Sequence, residues 1–232
     1  MHKFILIFSL LALSLYAKES ALEAFKKQDY KRAYKLYKED AMNGNSVAQN
    51  ALSYLYFNGI GVSKNIQEGL KWLKKSAHNM DATAQYDLAM MYLSGHNVKQ
   101  DSALAFSWLD SSADLGNTNA AYNLALMHYR GDSVDQNVTK AAQLLDIAAQ
   151  KGHVAASQNI GRIYMQLLKF DKAAYWLEKN AAQNDTEAFY LLAEIYCTQE
   201  KFKKAKEWAK KSIDSGNIAA QELWIKHNLE KY

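Results

Sequence analysis

The chain has 232 residues, 49% of them hydrophobic, and its 28 Lys and Arg against 24 Asp and Glu leave a net charge of only +4. That length and composition support a folded chain with a substantial core, and the interspersed signs argue against a phosphate-binding surface, so no nucleic-acid partner is expected. Cys197 is the only cysteine, which excludes an internal disulfide.

Residues 1–17 read as a secretory signal peptide. His2 and Lys3 give a charged start, Phe4 to Leu15 form the apolar run, and Ala17 supplies the small residue before cleavage. The apolar stretch falls short of the roughly 20 residues that a spanning helix needs. A periplasmic or secreted protein, cut after Ala17 and without a stable membrane span thereafter, is the expectation. Residues 18–43 then read as a capping hairpin: an apolar-periodic piece from Ala21 to Lys27, and a helix from Lys31 to about Met42 carrying Ala33, Leu36, Tyr37 and Ala41.

From residue 44 the chain repeats. Taking Gly44 as the register mark, its equivalents are Met80, Gly116 and Gly152 at a spacing of 36, then Asn184 and Gly216 at a spacing of 32. Repeats of such length mean a stacked array. Four residues after each mark stands an alanine (Ala48, Ala84, Ala120, Ala156, Ala188, Ala220), and eight after it a large apolar residue (Leu52, Leu88, Leu124, Ile160, Leu192, Trp224). Twelve after it come Tyr56, Tyr92, His128, Tyr164, Tyr196 and Asn228. These offsets lie on one helical face. A second helix in each unit carries Ala33, Gly69, Ala105, Ala141, Ala173 and Ala205 eleven before the mark, and Leu36, Trp72, Trp108, Leu144, Trp176 and Trp208 eight before it. The reading is therefore three long units over 44–151, two shorter ones over 152–215, and a capping helix over 216–232.

In the long units the two helices are joined by Asn58-Gly59-Ile60-Gly61-Val62, Ser94-Gly95-His96-Asn97-Val98 and Arg130-Gly131-Asp132-Ser133-Val134. The first glycine suits a left-handed helix stop, and the valine is expected to tuck under the turn. Asn65, Asp101 and Asn137 then stand as N-caps of the second helix, with Glu68 completing a capping box. No strand precedes these glycines and no Lys-Ser/Thr follows them, so they do not read as a phosphate loop.

The long-repeat pattern, A-x-x-x-L-x-x-x-Y-x-x-G-x-x-V followed by Asp or Asn, Ala and Trp, resembles the Sel1-like repeat family. The shorter units, with Phe170-Asp171-Lys172-Ala173 and Phe202-Lys203-Lys204-Ala205, resemble tetratricopeptide repeats. The resemblance covers Ser20 to Tyr232, with departures at Gly69 and His128 and no proline anywhere. It implies an all-α, right-handed α/α solenoid of helical hairpins, and a scaffold or adaptor that binds a protein or peptide segment in its concave groove. By that resemblance the groove positions fall six, ten and thirteen residues after each mark. They include Asn50, Tyr54 and Phe57, Tyr86 and Met90, Tyr122 and Tyr129, Arg162, and Tyr190, Glu194 and Cys197.

An alternative comes from cysteine-rich secreted relatives associated with β-lactam binding and hydrolysis. Those members staple each hairpin with a cysteine pair, which this chain lacks. None of its serines has lysine three places on, as a serine β-lactamase requires. The expectation is thus no enzyme and no cofactor. His78, His96, His128, His153 and His227 are scattered without ligand spacing, so no metal site is expected, and His128 is read as packing. Asp135-Gln136-Asn137-Val138-Thr139 fits the acidic-x-Asn-x-Ser/Thr acceptor of some bacterial glycosylation systems, with helix capping as the alternative role of Asn137.

Overall fold

The computed structural model describes residues 20–232, and among them the chain is all-α. The signal peptide expected over residues 1–17 lies outside the described residues. The chain divides into two compact units, one ending at Gln100 and the other running from Asp101 to Tyr232. The first holds α1 (Ala21–Lys26), α2 (Tyr30–Met42), α3 (Ser46–Asn58), α4 (Ile66–His78) and α5 (Ala82–Ser94). The second holds α6 (Ser102–Asp114), α7 (Thr118–Arg130), α8 (Val138–Gln150), α9 (Val154–Gln166), α10 (Phe170–Ala181), α11 (Thr186–Thr198), α12 (Phe202–Asp214) and α13 (Ile218–Lys226). Within each unit every helix packs on its neighbours in sequence, the contact pattern of an α/α solenoid of helical hairpins. The division at Gln100 falls inside the 44–151 block.

Each register mark is the residue at which a second helix stops. Gly44, Gly116, Gly152 and Gly216 take φ of 94°, 91°, 88° and 87°, and Met80 and Asn184 adopt the same left-handed conformation at 62° and 63°. The next backbone N–H reaches five residues back, as in Asn45 N to Asp40 O at 3.1 Å and Asp185 N to Asn180 O at 3.2 Å, which closes a Schellman turn. That same next residue is the N-cap of the following helix. Asn45, Asp81, Asn117, His153, Asp185 and Asn217 each accept the backbone N–H of the alanine three residues on, from Ala84 at 2.7 Å to Ala188 at 3.4 Å. Two adjacent residues thus end one helix and start another.

The loops of the long units behave as the glycine pattern implies. Gly59, Gly95 and Gly131 are left-handed C-caps at φ 70°, 72° and 79°. Val62 packs on Ala41, Ala48, Leu52 and Tyr56. Asn65, Asp101 and Asn137 cap α4, α6 and α8 through their side chains. The Glu68 carboxylate does not complete a box with Asn65; it takes Lys71 Nζ at 3.2 Å instead. The capping box that does form is Ser20 with Glu23, at the start of α1. In the shorter units Lys169 and Lys201 occupy the N-cap position without a side-chain bond, and Leu168 and Glu200 take the left-handed turn at φ 56°.

Packing explains the departure at Gly69. A Cβ there would stand 2.7 Å from Cδ1 of Phe57, whose ring lies against α4. The other repeats have Leu93, Tyr129, Met165 and Cys197 where this one has Phe57, and they keep alanine where it has glycine. The tyrosine row ties first helices to the second helices before them. Tyr196 Oη donates to Glu178 Oε1 at 2.7 Å, and Tyr164 bonds Asp146, which also accepts Trp176 Nε1 at 2.8 Å. His128 meets Phe106 edge-on, with ring centroids 5.7 Å apart, so it packs as expected.

Two outcomes are expected. Alanine is the better helix former by about 1 kcal/mol, yet Gly69→Ala should lower stability in urea by roughly 1–2 kcal/mol, because the Phe57 ring must move. In a Phe57→Leu background the same change should cost nothing; an equal cost in both backgrounds would refute the coupling. Burial, aided by the adjacent carboxylates, raises Tyr164 and Tyr196 from an ordinary value of 10.0 to about 12. Folded values above unfolded ones mean that their contribution to stability is complete below pH 10 and is lost as pH rises through about 12. Ultraviolet difference titration should show these two phenols ionising late and together with alkaline unfolding, and Glu178→Gln should bring the Tyr196 step to lower pH.

Candidate functional site

Besides positions four, eight and twelve, the core takes most of positions five, nine and eleven after each mark, among them Gln49, Ala89 and Leu55, which leaves three, six, seven and ten on the opposite face of each first helix. In the first unit these faces wall an open groove. Leu22 and Phe25 of α1, Tyr37 of α2, and Val47, Ala51 and Tyr54 of α3 line one stretch of about 430 Å³. Phe57, Leu73, Met90, Met91, Ser94 and His96 line the next, of about 410 Å³. Asn50, Tyr54 and Asp87 border both stretches. The walls are apolar and open to solvent: Leu22, Val47 and Tyr54 are 52%, 66% and 53% exposed.

Asp87 lies outside the groove positions expected at six, ten and thirteen after each mark. It stands seven residues after Met80, and it is the only charged residue in α5. An isolated charge within an otherwise uncharged helix is the signal that could have found it. It makes no hydrogen bond or ion pair among the described residues. Burial, with the like charge of Asp81 second, holds its carboxyl above the usual carboxylate range. Burial also raises the Tyr37 phenol beside it.

Of the expected groove residues, Tyr54 and Met90 come together in this unit, and Tyr86 is half-buried on α5. Phe57 divides its ring between the wall and the contact with Gly69. Position thirteen lies about 60° from position ten around the helix, on the side away from seven, and so leans toward the second helix.

The second unit presents a different surface. Tyr122 stacks on His153, with centroids 4.6 Å apart and planes 20° apart, and its phenol accepts Asn159 Nδ2 at 3.3 Å. It therefore serves the joint between α7 and α9. Arg162 pairs with Glu187 over a polar cavity of about 520 Å³ lined also by Gln158, Asn159, Asn180, Gln183, Asn184, Asp185 and Thr186. Tyr129 is half-buried near the end of α7. Tyr190 and Glu194 are half-buried on α11; burial, then Glu194 and Glu222, raises the Tyr190 phenol. Cys197 is 5% exposed, and burial pushes its thiol up, so it does not offer a groove surface.

Asn137 is exposed, and its Oδ1 accepts Lys140 N at 2.8 Å. His153 serves as an N-cap through Nδ1, a role that its residue type does not announce. Among the lysines from Lys201 to Lys211, Lys204, Lys206 and Lys211 lie over the rings of Tyr196, Trp224 and Trp208, at 5.1, 5.6 and 4.1 Å. Among the described residues no group of three or more His, Cys, Asp and Glu side chains could hold a metal, and no helix is long and apolar enough to cross a membrane.

Residues 10–45, 46–79, 82–117, 118–153, 161–194 and 186–217 each match the Sel1 repeat. The chain belongs to the Sel1 repeat family. Among solved structures it is similar to a Sel1 repeat protein from Oxalobacter formigenes, at 29% identity and a TM-score of 0.59, over 80% of this chain and 79% of that one. It also matches c5321, a protective antigen present in uropathogenic Escherichia coli strains, at 24% identity and a TM-score of 0.47, over 85% of this chain and 53% of that one. A third match is pilF of Pseudomonas aeruginosa, at 17% identity and a TM-score of 0.45, over 82% of this chain and 83% of that one. No curated protein matches the sequence. The open groove of the first unit is thus carried on the first helices of Sel1 repeats, held by the Schellman turn and N-cap at each repeat boundary.

Proposed function

We propose that this Sel1 repeat protein is an exported, non-enzymatic scaffold that binds a peptide or protein segment along the first-helix faces of its repeats, with the groove of the first unit as the principal site. The observation that carries this reading is the open apolar wall formed by Leu22, Val47 and Tyr54 together with Met90, none of which the repeat core requires. A tyrosine offers large amphipathic contact at low entropic cost, and methionine adapts to varied side chains. An extended or helical segment laid in such a groove is a recurrent mode of recognition. Export rests on the Phe4 to Leu15 run with Ala17 after it.

Site-specific photocrosslinking checks the binding. A crosslinking residue at position 54 should give defined protein adducts in cells, whereas the same residue at position 147, exposed on the second helix α8, should not. Adducts of equal yield and identity from both positions would remove the groove from the proposal. N-terminal sequencing of envelope or secreted material should give a start near Lys18; an intact Met1 in the cytoplasm would end the export reading.

A further inference from the structure

The groove of the first unit holds one carboxylate and no cation. Its lining residues are apolar or uncharged apart from Asp87 and the imidazole of His96, and none is Lys or Arg. The groups that can carry charge around Asp87 are Tyr37 from α2, Tyr54 from α3, Asp81 at the N-cap of its own helix and His96 beyond the end of α5. None of them bonds its carboxylate. A carboxylate placed between two apolar stretches and left without a partner costs stability, and nothing in the repeat fold calls for it: the same position is Ala51 in the preceding repeat and Asn123 in the next.

We propose that the occupant of this groove is a peptide segment with a lysine or arginine between apolar side chains, its cation paired with Asp87 and its flanking residues seated on the two apolar stretches. The inference rests on the reading that the groove takes a peptide. It adds the chemistry that selects one. Charge complementarity carries it: Asp87 borders both stretches, so a segment that fills both must pass the carboxylate. A cation there supplies the missing partner, and the exclusion of water strengthens the pair. Acidic segments are rejected by the same group, which a purely apolar groove could not do. The Asp87 carboxyl, held above the usual range by burial, fits a group that an incoming cation would satisfy and the fold does not.

The experiment pans a random-peptide phage library on the full-length chain, then measures synthetic versions of the enriched peptides by fluorescence anisotropy. Wild-type protein should enrich peptides with Lys or Arg flanked by apolar residues. Asp87→Asn, or glutamine in place of the peptide's cation, should weaken binding by about ten- to hundredfold, as expected for a hydrogen bond to a charged group. Applied together, the two changes should cost little more than either alone. Asp87→Asn protein should be at least as heat-stable as wild type, because an unpaired carboxylate is removed. That result separates a lost partner from a damaged fold. Peptides that lose affinity on Tyr54→Ala but show no cation preference, or bind Asp87→Asn unchanged, would overturn the inference and leave the groove reading standing. Peptides indifferent to both Tyr54→Ala and Asp87→Asn would overturn the two together. Sedimentation of the unliganded chain completes the test: self-association abolished by Asp87→Asn would assign the groove to a second copy and sink the peptide proposal.

Discussion

The structure depends on how closely its helices can approach, and that distance is set by alanine methyls. Ala33, Ala48, Ala84, Ala105, Ala120, Ala141, Ala156, Ala173, Ala188, Ala205 and Ala220 are all 4% exposed or less. With a methyl at each contact, the large residue four positions on reaches full burial, as Leu52, Leu124, Ile160 and Leu192 do. Interiors packed to this density feel the addition of a single carbon. The one repeat that brings a phenyl ring to the contact has lost even the methyl: Phe57 stands where a Cβ on Gly69 would have to be.

Turn chemistry converts this packing into an array. One left-handed residue satisfies the last carbonyls of a second helix, and its successor caps the next first helix, so the reversal takes two residues. The long units spend four further residues on the loop between their own helices, and close it with left-handed glycine and a side-chain N-cap. The short units omit those residues, along with the side-chain cap, at Lys169 and Lys201. The cost in unsatisfied N–H groups falls at exposed helix starts, where water can replace the cap.

Function follows from what the packing leaves over. On each first helix the core takes positions four, eight and nine after the mark and most of five, eleven and twelve, and the opposite face, with positions three, six, seven and ten, is free to vary from repeat to repeat. In the first unit that freedom produces an apolar groove with a single half-buried acid. In the second it produces internal ties, with Tyr122 held by His153 and Asn159, and Arg162 held by Glu187 above an amide-rich cavity. The two surfaces differ in chemistry although the same repeat builds both, which fits a scaffold whose specificity resides in the face that packing does not constrain.

The family, the helices, the glycine turns and the buried rows of Ala48 and Leu52 were legible in the sequence, because each is a local or periodic property repeated often enough to average out exceptions. On the second helices, by contrast, the fully buried row is Leu73, Leu109, Leu145 and Leu177, one residue on from the expected Trp72 and Trp108, which are half-buried. Tertiary structure alone decided which members of the outer face remain available. Tyr122 and Tyr54 occupy nearby positions on equivalent faces, yet one is stacked and hydrogen-bonded while the other is half exposed. Glu68 has the spacing of a capping box but pairs with Lys71, and His153, no usual capping residue, accepts Ala156 N. Cys197 follows the groove spacing and is buried; Asp87 lies outside that spacing and faces the groove. Availability depends on the rotation of each helix against its neighbour, and a difference of about 60°, the angle between adjacent outer positions, carries a side chain from solvent into the next repeat. Periodicity places a residue on a face, but only the neighbouring helix decides whether that face is open.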